Sequence, residues 1–314
     1  MKPRSYDEAG VSVARGDSFA ARLARLDSPA VGAIGGFAGG LEIDIARYRH
    51  PVLLSTTDGV GTKLLVAREL GVWNTVGVDL VAMCVNDLAV CGADPAVFLD
   101  YIACGRIDED ILSQVASGIV TGCELAECTL AGGETAELPD MYGPGDIDLA
   151  GFATGIAERD EQLPRRDAMI AGDLVVGLAS SGIHSNGLSL ARKVLPADDR
   201  DGWRELLTPT RIYVRELRAA RPHIKGAAHI TGGGLVANLR RILPDGLQPE
   251  VGWDWQSPQI FDRIADAGPI SAPEMRRVFN MGVGIAMVVS PRERPALERA
   301  LDESLITLGS LVNG

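Results

Sequence analysis

The chain has 314 residues, of which 46% are hydrophobic and 23% charged, so it is long enough for two globular domains and too apolar for a disordered protein. Its formal net charge of −12, with arginines scattered along the chain, argues against nucleic acid as a partner. No apolar run approaches the roughly 20 residues of a membrane span and residues 1–10 lack the apolar core of a signal peptide, so we expect a soluble, cytoplasmic protein without membrane association.

A glycine-dense segment occupies residues 32–40 and reads Gly-Ala-Ile-Gly-Gly-Phe-Ala-Gly-Gly. It does not fit the G-x-G-x-x-G pattern of dinucleotide-binding folds, and no strand precedes it at the right distance. One interpretation is a loop that becomes ordered over a ligand, with Gly35 and Gly36 as the candidates for contacting a phosphate. The other is an exposed, mobile segment.

The next segment joins a predicted strand to a loop. Residues 51–57 are apolar or β-prone and lead into Asp-Gly-Val-Gly-Thr-Lys at 58–63. This is not a Walker A loop, because that motif ends in Gly-Lys-Ser/Thr and Lys63 is followed by leucine. The loop nevertheless contains the residue types that bind phosphate.

Each residue type in this loop has a distinct use. Gly59 and Gly61 let backbone amides approach phosphate oxygens closely, and Thr62 lies beside them as a further phosphate-binding candidate. Asp58 offers a hard oxygen ligand to Mg²⁺, and Lys63 supplies a compact positive charge. A plain tight turn is the alternative interpretation.

Strands and helices are predicted to alternate as far as residue 155. The apolar spacing indicates a helix over residues 78–90, which Asp79 opens, and further elements follow it. These are a strand at 98–103, a helix at 111–125 and a short strand at 129–131 that ends at Gly132-Gly133.

Two more carboxylates occur next to these elements. Asp87 lies within the first helix, and Glu134 follows the last strand with Thr135, a phosphate-binding candidate, beside it. Together with Asp58 they would suit one or two Mg²⁺ ions, which are held by few carboxylates plus water and phosphate oxygens. Alternatively, Asp87 is a solvated helix residue or a cap, and Glu134 belongs to a polar loop.

The polar stretch at residues 158–167 is the best domain boundary, because charges and a proline separate two apolar strands. It gives an N-terminal domain at 1–160 and a C-terminal domain at 168–314. The second domain is predicted to contain strands at 174–179, 227–230 and 283–289, with a helix near 187–194.

The loop at residues 180–187 reads Ser-Ser-Gly-Ile-His-Ser-Asn-Gly and joins a strand to a helix. Such a junction directs free backbone amides at an anion, and Ser185 or Asn186 could cap the helix or bind the substrate. His184 could move a proton near neutral pH, or it could be a hydrogen-bonded structural group.

Seven segments together resemble the phosphoribosylformylglycinamidine cyclo-ligase family, the AIR synthetases, and the resemblance runs in order from Ser5 to about Gly309. The segments are Thr-Asp-Gly-Val-Gly-Thr-Lys at 57–63, Val-Asn-Asp at 85–87, Gly-Gly-Glu-Thr-Ala-Glu-Leu-Pro at 132–139, His-Ser-Asn-Gly at 184–187, Pro-Thr-Arg-Ile-Tyr at 209–213, Thr-Gly-Gly-Gly at 231–234 and Phe-Asn-Met-Gly-Val-Gly at 279–284.

The resemblance implies an α/β (α+β) fold with an ATP site in a cleft. It implies an N-terminal domain whose strands form a barrel shared across a homodimer, and a C-terminal domain with a mixed sheet flanked by helices. The implied reaction is the ATP-dependent cyclisation of formylglycinamidine ribonucleotide to aminoimidazole ribonucleotide, with release of ADP and phosphate. The chain looks short beyond Leu308 for this family, so we expect the final strand to be trimmed.

The resemblance also implies roles for the candidate residues. Lys63 and His184 are the catalytic candidates, the latter assisting proton movement during ring closure. Ser185 and Asn186 would hold the ribose phosphate of the substrate. Two other functions remain open at this point: a related ATP-dependent phosphotransferase that acts on another acceptor, and a nucleotide-binding subunit without catalysis.

Overall fold

Helices and strands alternate along the first half of the chain. The computed structural model describes Glu8, residues 10–23 and residues 25–314. All five elements predicted between residues 51 and 131 are present. The elements of this half are α1 (Val13–Leu23), β1 (Pro51–Gly59), α2 (Lys63–Leu70), α3 (Asn74–Val90), β2 (Asp94–Cys104), α4 (Glu109–Ala126), β3 (Thr129–Glu137) and β4 (Ile147–Glu158).

The second half contains five further strands and seven short helices. Its three predicted strands and the predicted helix after residue 187 are all found. The elements are β5 (Leu174–Ala179), α5 (Leu188–Val194), α6 (Arg200–Leu206), α7 (Val214–Ala220), β6 (Gly226–His229), α8 (Gly234–Arg240), β7 (Leu247–Val251), α9 (Gln259–Ala267), α10 (Ala272–Val278), β8 (Val283–Val289), α11 (Arg294–Ala300) and β9 (Ile306–Asn313).

The first sheet is mixed and has the strand order β1–β4–β2–β3. β4 runs antiparallel to both of its neighbours, whereas β2 and β3 are parallel. α3 packs against β1, β2 and β4, and it also contacts α4, α7 and β6. Because it is enclosed by both halves of the molecule, α3 is apolar around most of its circumference and almost wholly buried.

Two boundaries in this half differ from the sequence prediction. α3 begins at Asn74, so Asp79 does not open the helix but lies in its second turn, fully buried. β3 does not end at Gly132-Gly133, because it stays paired with β2 as far as Glu137. Glu134 and Thr135 therefore lie within a strand and not in a loop after it.

The other face of the first sheet carries large apolar side chains in contact with solvent. Leu53, Leu99 and Phe152 are 63%, 36% and 47% exposed. Leu99 and Phe152 are directly opposite each other on β2 and β4. Neighbouring exposed apolar side chains on a sheet are typical of a surface that another protein covers. The shared barrel stays a prediction, because it requires a second chain.

The second sheet corrects the fold prediction for the C-terminal half. Its order is β6–β8–β5–β9–β7, and every neighbouring pair is antiparallel, so the sheet is not mixed. The mixed sheet was an expectation from the family resemblance and did not follow from the strand and helix pattern of the sequence. The chain places strands that are distant in sequence side by side, as β5 and β8 are, and such long connections do not fix the strand direction.

The final strand is not trimmed at Leu308. β9 continues to Asn313 and pairs with both β5 and β7, so it lies inside the sheet and not at its edge. None of the helices in the described part of the chain has both the length and the apolar character needed to cross a bilayer.

Candidate functional site

The predicted site residues fall into two groups on opposite edges of the first sheet. A row of paired residues runs across the sheet. Asp58 on β1 pairs with Gly151 on β4, and Gly151 also pairs with Asp100 on β2. Asp100 pairs in turn with Gly133 on β3. This row crosses three strand spacings, or about 14 Å. Glu134, next to Gly133, is therefore far from Asp58 within one chain.

The first group lines a cavity of about 860 Å³ beside β3. Gly35 and Gly36 from the glycine-dense segment lie on one side of it, and Glu134 and Thr135 from β3 on the other. The segment approaches β3 so closely that a Cβ at Gly39 would overlap the Ala131 carbonyl oxygen. A cavity of this volume is in the range of small-molecule and nucleotide sites.

Asp100 also lines this cavity, and the sequence analysis did not single it out. Its side chain is buried, and burial raises the pKa of this carboxyl group to about 7, against the opposing effect of its own backbone N–H. A carboxyl group in this state changes its charge near neutral pH. The signal that could have found it is an acidic residue inside the apolar strand run at 98–103.

The second group begins where β1 ends. Asp58 Oδ1 accepts a hydrogen bond of 2.7 Å from the Gly59 backbone N–H. Burial raises the pKa of Asp58, the Gly59 N–H opposes this effect, and the negative charge of Asp87 adds to it. Gly61 has a φ of +65°, which explains why glycine occupies this turn.

Asp87 is held by a histidine from the other half of the chain. His229 Nδ1 lies 3.0 Å from Asp87 Oδ1, and both residues line a second cavity of about 360 Å³ between the halves, together with Arg241. His229 Nε2 is buried and has no hydrogen-bond partner among the described residues. Sequence reasoning gave His229 no role, because 142 residues separate it from Asp87.

The three predicted metal ligands do not converge on one ion in a single chain. Within residues 8, 10–23 and 25–314, no group of three or more histidine, cysteine, aspartate or glutamate side chains is arranged to hold a metal. Asp58 and Asp87 do lie near enough for the charge of one to raise the pKa of the other. Two neighbouring carboxylates whose charges repel fit the oxygen ligands that Mg²⁺ takes in proteins.

Lys63 is fully buried at the start of α2. Its ammonium group donates to Asp79 Oδ1 at 2.8 Å and to the Thr208 carbonyl oxygen at 2.7 Å. Burial lowers the pKa of Lys63, and the charge of Asp79 opposes this effect. Lys63 lines neither of the two cavities, so its charge acts here on buried protein groups.

His184 is also fully buried and adopts a φ of +61°. Its Nε2 atom accepts a hydrogen bond of 3.2 Å from the Ser181 backbone N–H, which makes Nε2 the unprotonated nitrogen. Nδ1 is buried without a partner in the described part of the chain. Burial lowers the pKa of His184 well below its usual value, so the ring is neutral at physiological pH.

The two residues after His184 connect three segments. Ser185 Oγ lies 3.1 Å from Asp79 Oδ1 and 3.0 Å from Thr210 Oγ1, and Asn186 Oδ1 accepts from the Gly232 N–H at 3.0 Å. The glycine motif at 231–234 thus supports the loop at 180–187. Thr62 is beside the same region, since its Oγ1 lies 3.1 Å from Ser189 Oγ.

Comparison with known families matches both halves of the chain. Residues 44–157 match the N-terminal domain of AIR synthase related proteins, and residues 171–311 match their C-terminal domain.

Individual relatives match over nearly the whole chain. A phosphoribosylformylglycinamidine cyclo-ligase of Sorangium cellulosum is 48% identical over 320 residues, which cover 95% of this chain and 90% of the relative. A second cyclo-ligase, from Bordetella avium, is 46% identical, and the match covers 95% of that relative. The human trifunctional purine biosynthetic protein adenosine-3 is 43% identical over 99% of this chain, which spans 34% of that longer protein.

Solved structures share the fold at low sequence identity. The E. coli hydrogenase maturation protein HypE superposes with a TM-score of 0.69 at 13% identity, over 95% of this chain and 90% of that one. A HypE structure in complex with ATP gives a TM-score of 0.63 at 15% identity, over 96% and 87% of the two chains.

Proposed function

The chain belongs to the AIR synthase family, and from its match to the phosphoribosylformylglycinamidine cyclo-ligases we infer the reaction that it performs. It converts formylglycinamidine ribonucleotide to aminoimidazole ribonucleotide in de novo purine biosynthesis and consumes ATP. We propose the following chemistry. The formyl oxygen attacks the γ-phosphorus and ADP leaves. The amidine-side nitrogen then attacks the activated carbon and loses its proton, and phosphate leaves as the imidazole ring closes.

We assign the nucleotide to the cavity beside β3, and this cavity is the observation that carries the proposal. Two pairs of candidates from distant parts of the sequence, Gly35–Gly36 and Glu134–Thr135, line it together. Glycine backbone amides and a threonine hydroxyl are donors for phosphate oxygens. Gly59, Gly61 and Thr62 form the second set of phosphate contacts, at the end of β1.

We assign Mg²⁺ to Asp58 and Asp87, with Glu134 contributing from the nucleotide cavity. The metal ion, when bound, neutralises charge on the transferred phosphoryl group. Asp58 and Asp87 supply oxygen ligands, and His229 fixes the Asp87 carboxylate through its contact of 3.0 Å. This assignment requires Glu134 to reach the same ion. Within one chain, Glu134 lies too far from Asp58 for both residues to bind it.

We therefore propose that the enzyme is a homodimer in which the nucleotide cavity of one protomer serves the Asp58–Asp87 pair of the other. Phosphoryl transfer requires reacting atoms within about 3.5 Å, whereas the two groups lie about 14 Å apart across one sheet. Burial of Leu53, Leu99 and Phe152 favours association through the open face of the first sheet. The barrel implied by the family resemblance would use the same face.

The substrate is assigned to the loop at 180–187, where Ser185 and Asn186 hold the ribose phosphate. We propose that His184 assists proton movement and that Lys63 acts as a positioning residue. The buried position of Lys63 favours an action through Asp79 and the Thr208 carbonyl oxygen over direct contact with phosphate. For His184, Nδ1 carries the proton of the neutral ring and has no partner among the described residues, so Nδ1–H is the group available to donate during ring closure.

The reaction is tested by measuring ADP and aminoimidazole ribonucleotide in the same tube, with purified protein, ATP, Mg²⁺ and formylglycinamidine ribonucleotide. Equal amounts of both products, formed only when both substrates are present, support the proposal. ADP release that does not depend on the ribonucleotide would indicate a phosphotransferase with another acceptor. ATP binding without turnover would indicate a catalytically silent subunit.

A further inference from the structure

The segment at residues 208–213, which contains the Pro-Thr-Arg-Ile-Tyr motif, is attached to the N-terminal half by buried polar groups. Lys63 Nζ donates to the Thr208 carbonyl oxygen at 2.7 Å. Asp79 Oδ1 accepts from the Thr210 backbone N–H at 2.7 Å and from its hydroxyl at 2.6 Å. Asp79, Lys63 and Thr210 are all almost completely buried.

The same face of α3 holds the segment a second time, two turns farther along. Asn86 donates from its side-chain amide to the Arg211 carbonyl oxygen at 2.9 Å and accepts from the Tyr213 N–H at 2.9 Å. Asp79 and Asn86 are seven residues apart, so they lie on one side of the helix. α3 thus fixes the backbone of this segment at two points.

Asp79 extends these contacts to the proposed substrate loop. Ser185 Oγ lies 3.1 Å from Asp79 Oδ1 and 3.0 Å from Thr210 Oγ1. One carboxylate oxygen therefore contacts groups on α2, on the 208–213 segment and on the 180–187 loop. The second oxygen of Asp79 is buried and has no hydrogen-bond partner among the residues described.

Stability alone does not explain this arrangement. A buried ion pair such as Lys63–Asp79 gains little over well-packed apolar side chains, because both charges lose their hydration. A buried carboxylate also requires its donors in fixed directions, and an apolar cluster imposes no such directions. The ion pair is therefore better explained by the geometry that it imposes on Ser185 and Thr210.

We propose that Asp79 is a positioning residue for the cyclo-ligase reaction, which through its contacts with Thr210 and Ser185 fixes the loop at 180–187 so that the backbone amides of this loop face the phosphoribosyl group of the substrate. This inference rests on the proposed substrate site. Because Asp79 is fully buried, we expect it not to touch ATP or the ribonucleotide. Its loss should weaken binding of the phosphorylated ribonucleotide and leave binding of ATP unchanged.

The test compares two variants of Thr210, because Asp79→Asn leaves Lys63 buried without its counter-charge and could fail to fold. Thr210→Val keeps the shape but loses the hydroxyl that contacts Asp79 and Ser185, whereas Thr210→Ser keeps the hydroxyl. Thr121→Val is the matched control, since Thr121 is exposed on α4 and bonds only within its own helix.

We expect Thr210→Val to raise the KM for formylglycinamidine ribonucleotide about tenfold, with an unchanged KM for ATP. Thr210→Ser and Thr121→Val should both keep the wild-type KM values. An unchanged ribonucleotide KM in Thr210→Val, or an equal rise of both KM values, would overturn the inference. A wild-type enzyme that forms no aminoimidazole ribonucleotide would instead contradict the proposed function itself.

Discussion

Asp58 and Glu134, which the sequence suggests as ligands of one or two Mg²⁺ ions, lie on opposite edges of a four-stranded sheet. The register across β1, β4, β2 and β3 separates them by about 14 Å. Asp58 is instead close to Asp87, and Glu134 is on the wall of the larger cavity. The candidate metal ligands and phosphate-binding residues of one chain thus lie in two separate places.

The metal assignment predicts a changed requirement for Mg²⁺. Asp87→Asn should raise the Mg²⁺ concentration for half-maximal turnover at least tenfold, because a neutral amide is a weaker ligand than a carboxylate. Titration of activity with MgCl₂ at saturating substrates measures this. Asp254→Asn is the control, a substitution of the same type at a residue that lines neither cavity. Identical Mg²⁺ curves for Asp87→Asn and the wild type would exclude Asp87 from the metal site.

The pKa of Asp100 predicts a pH dependence of stability. Burial raises this pKa to about 7. Between the lower pKa of Asp100 in the unfolded chain and pH 7, this carboxyl group is deprotonated in the unfolded chain and protonated in the folded chain. Stability is therefore lost as the pH rises through this window. Between pH 5.5 and pH 8, the free energy of unfolding should fall by about 2 kcal/mol more in the wild type than in Asp100→Asn.

Urea unfolding of both proteins at the two pH values provides the comparison. Parallel changes in the wild type and Asp100→Asn would show that the Asp100 carboxyl does not titrate in this range.

The buried ion pair predicts a large effect on folding. Lys63→Met leaves the Asp79 carboxylate buried without its counter-charge and should cost about 3–5 kcal/mol of unfolding free energy. The double variant Lys63→Met/Asp79→Leu should recover part of this loss, because it removes both charges but leaves the Thr210 N–H without its acceptor. Urea titrations of the wild type, the two single variants and the double variant measure the coupling. Additive effects of the two substitutions would contradict it.

The position of His184 separates its two interpretations. His184→Asn suits the φ of +61°, since asparagine tolerates a left-handed backbone better than most residues. If Nδ1 exchanges a proton during ring closure, this variant should lower kcat at least tenfold, with an unchanged KM for ATP. Single-turnover measurements of ring closure provide the test. A normal rate would leave His184 with only a structural role.

Local sequence patterns predicted those parts of the molecule that local forces determine. The strand at 51–57, the turn at Gly61 and the loop at 180–187 follow from apolar runs and glycine positions, and all are found. The antiparallel second sheet was missed, because strand direction there depends on contacts between distant segments. The Asp87–His229 and Asp79–Thr210 contacts span 142 and 131 residues, so no short motif could reveal them.

The central claim is that each active site combines the nucleotide cavity of one protomer with Asp58 and Asp87 of the other. Complementation between two inactive variants tests it most directly. Asp58→Asn and Glu134→Gln should each be inactive alone. After unfolding and refolding as a mixture, half of the dimers should be mixed, and each mixed dimer should contain one intact site. The account predicts about a quarter of the wild-type activity for an equal mixture. A mixture as inactive as its two components would contradict it.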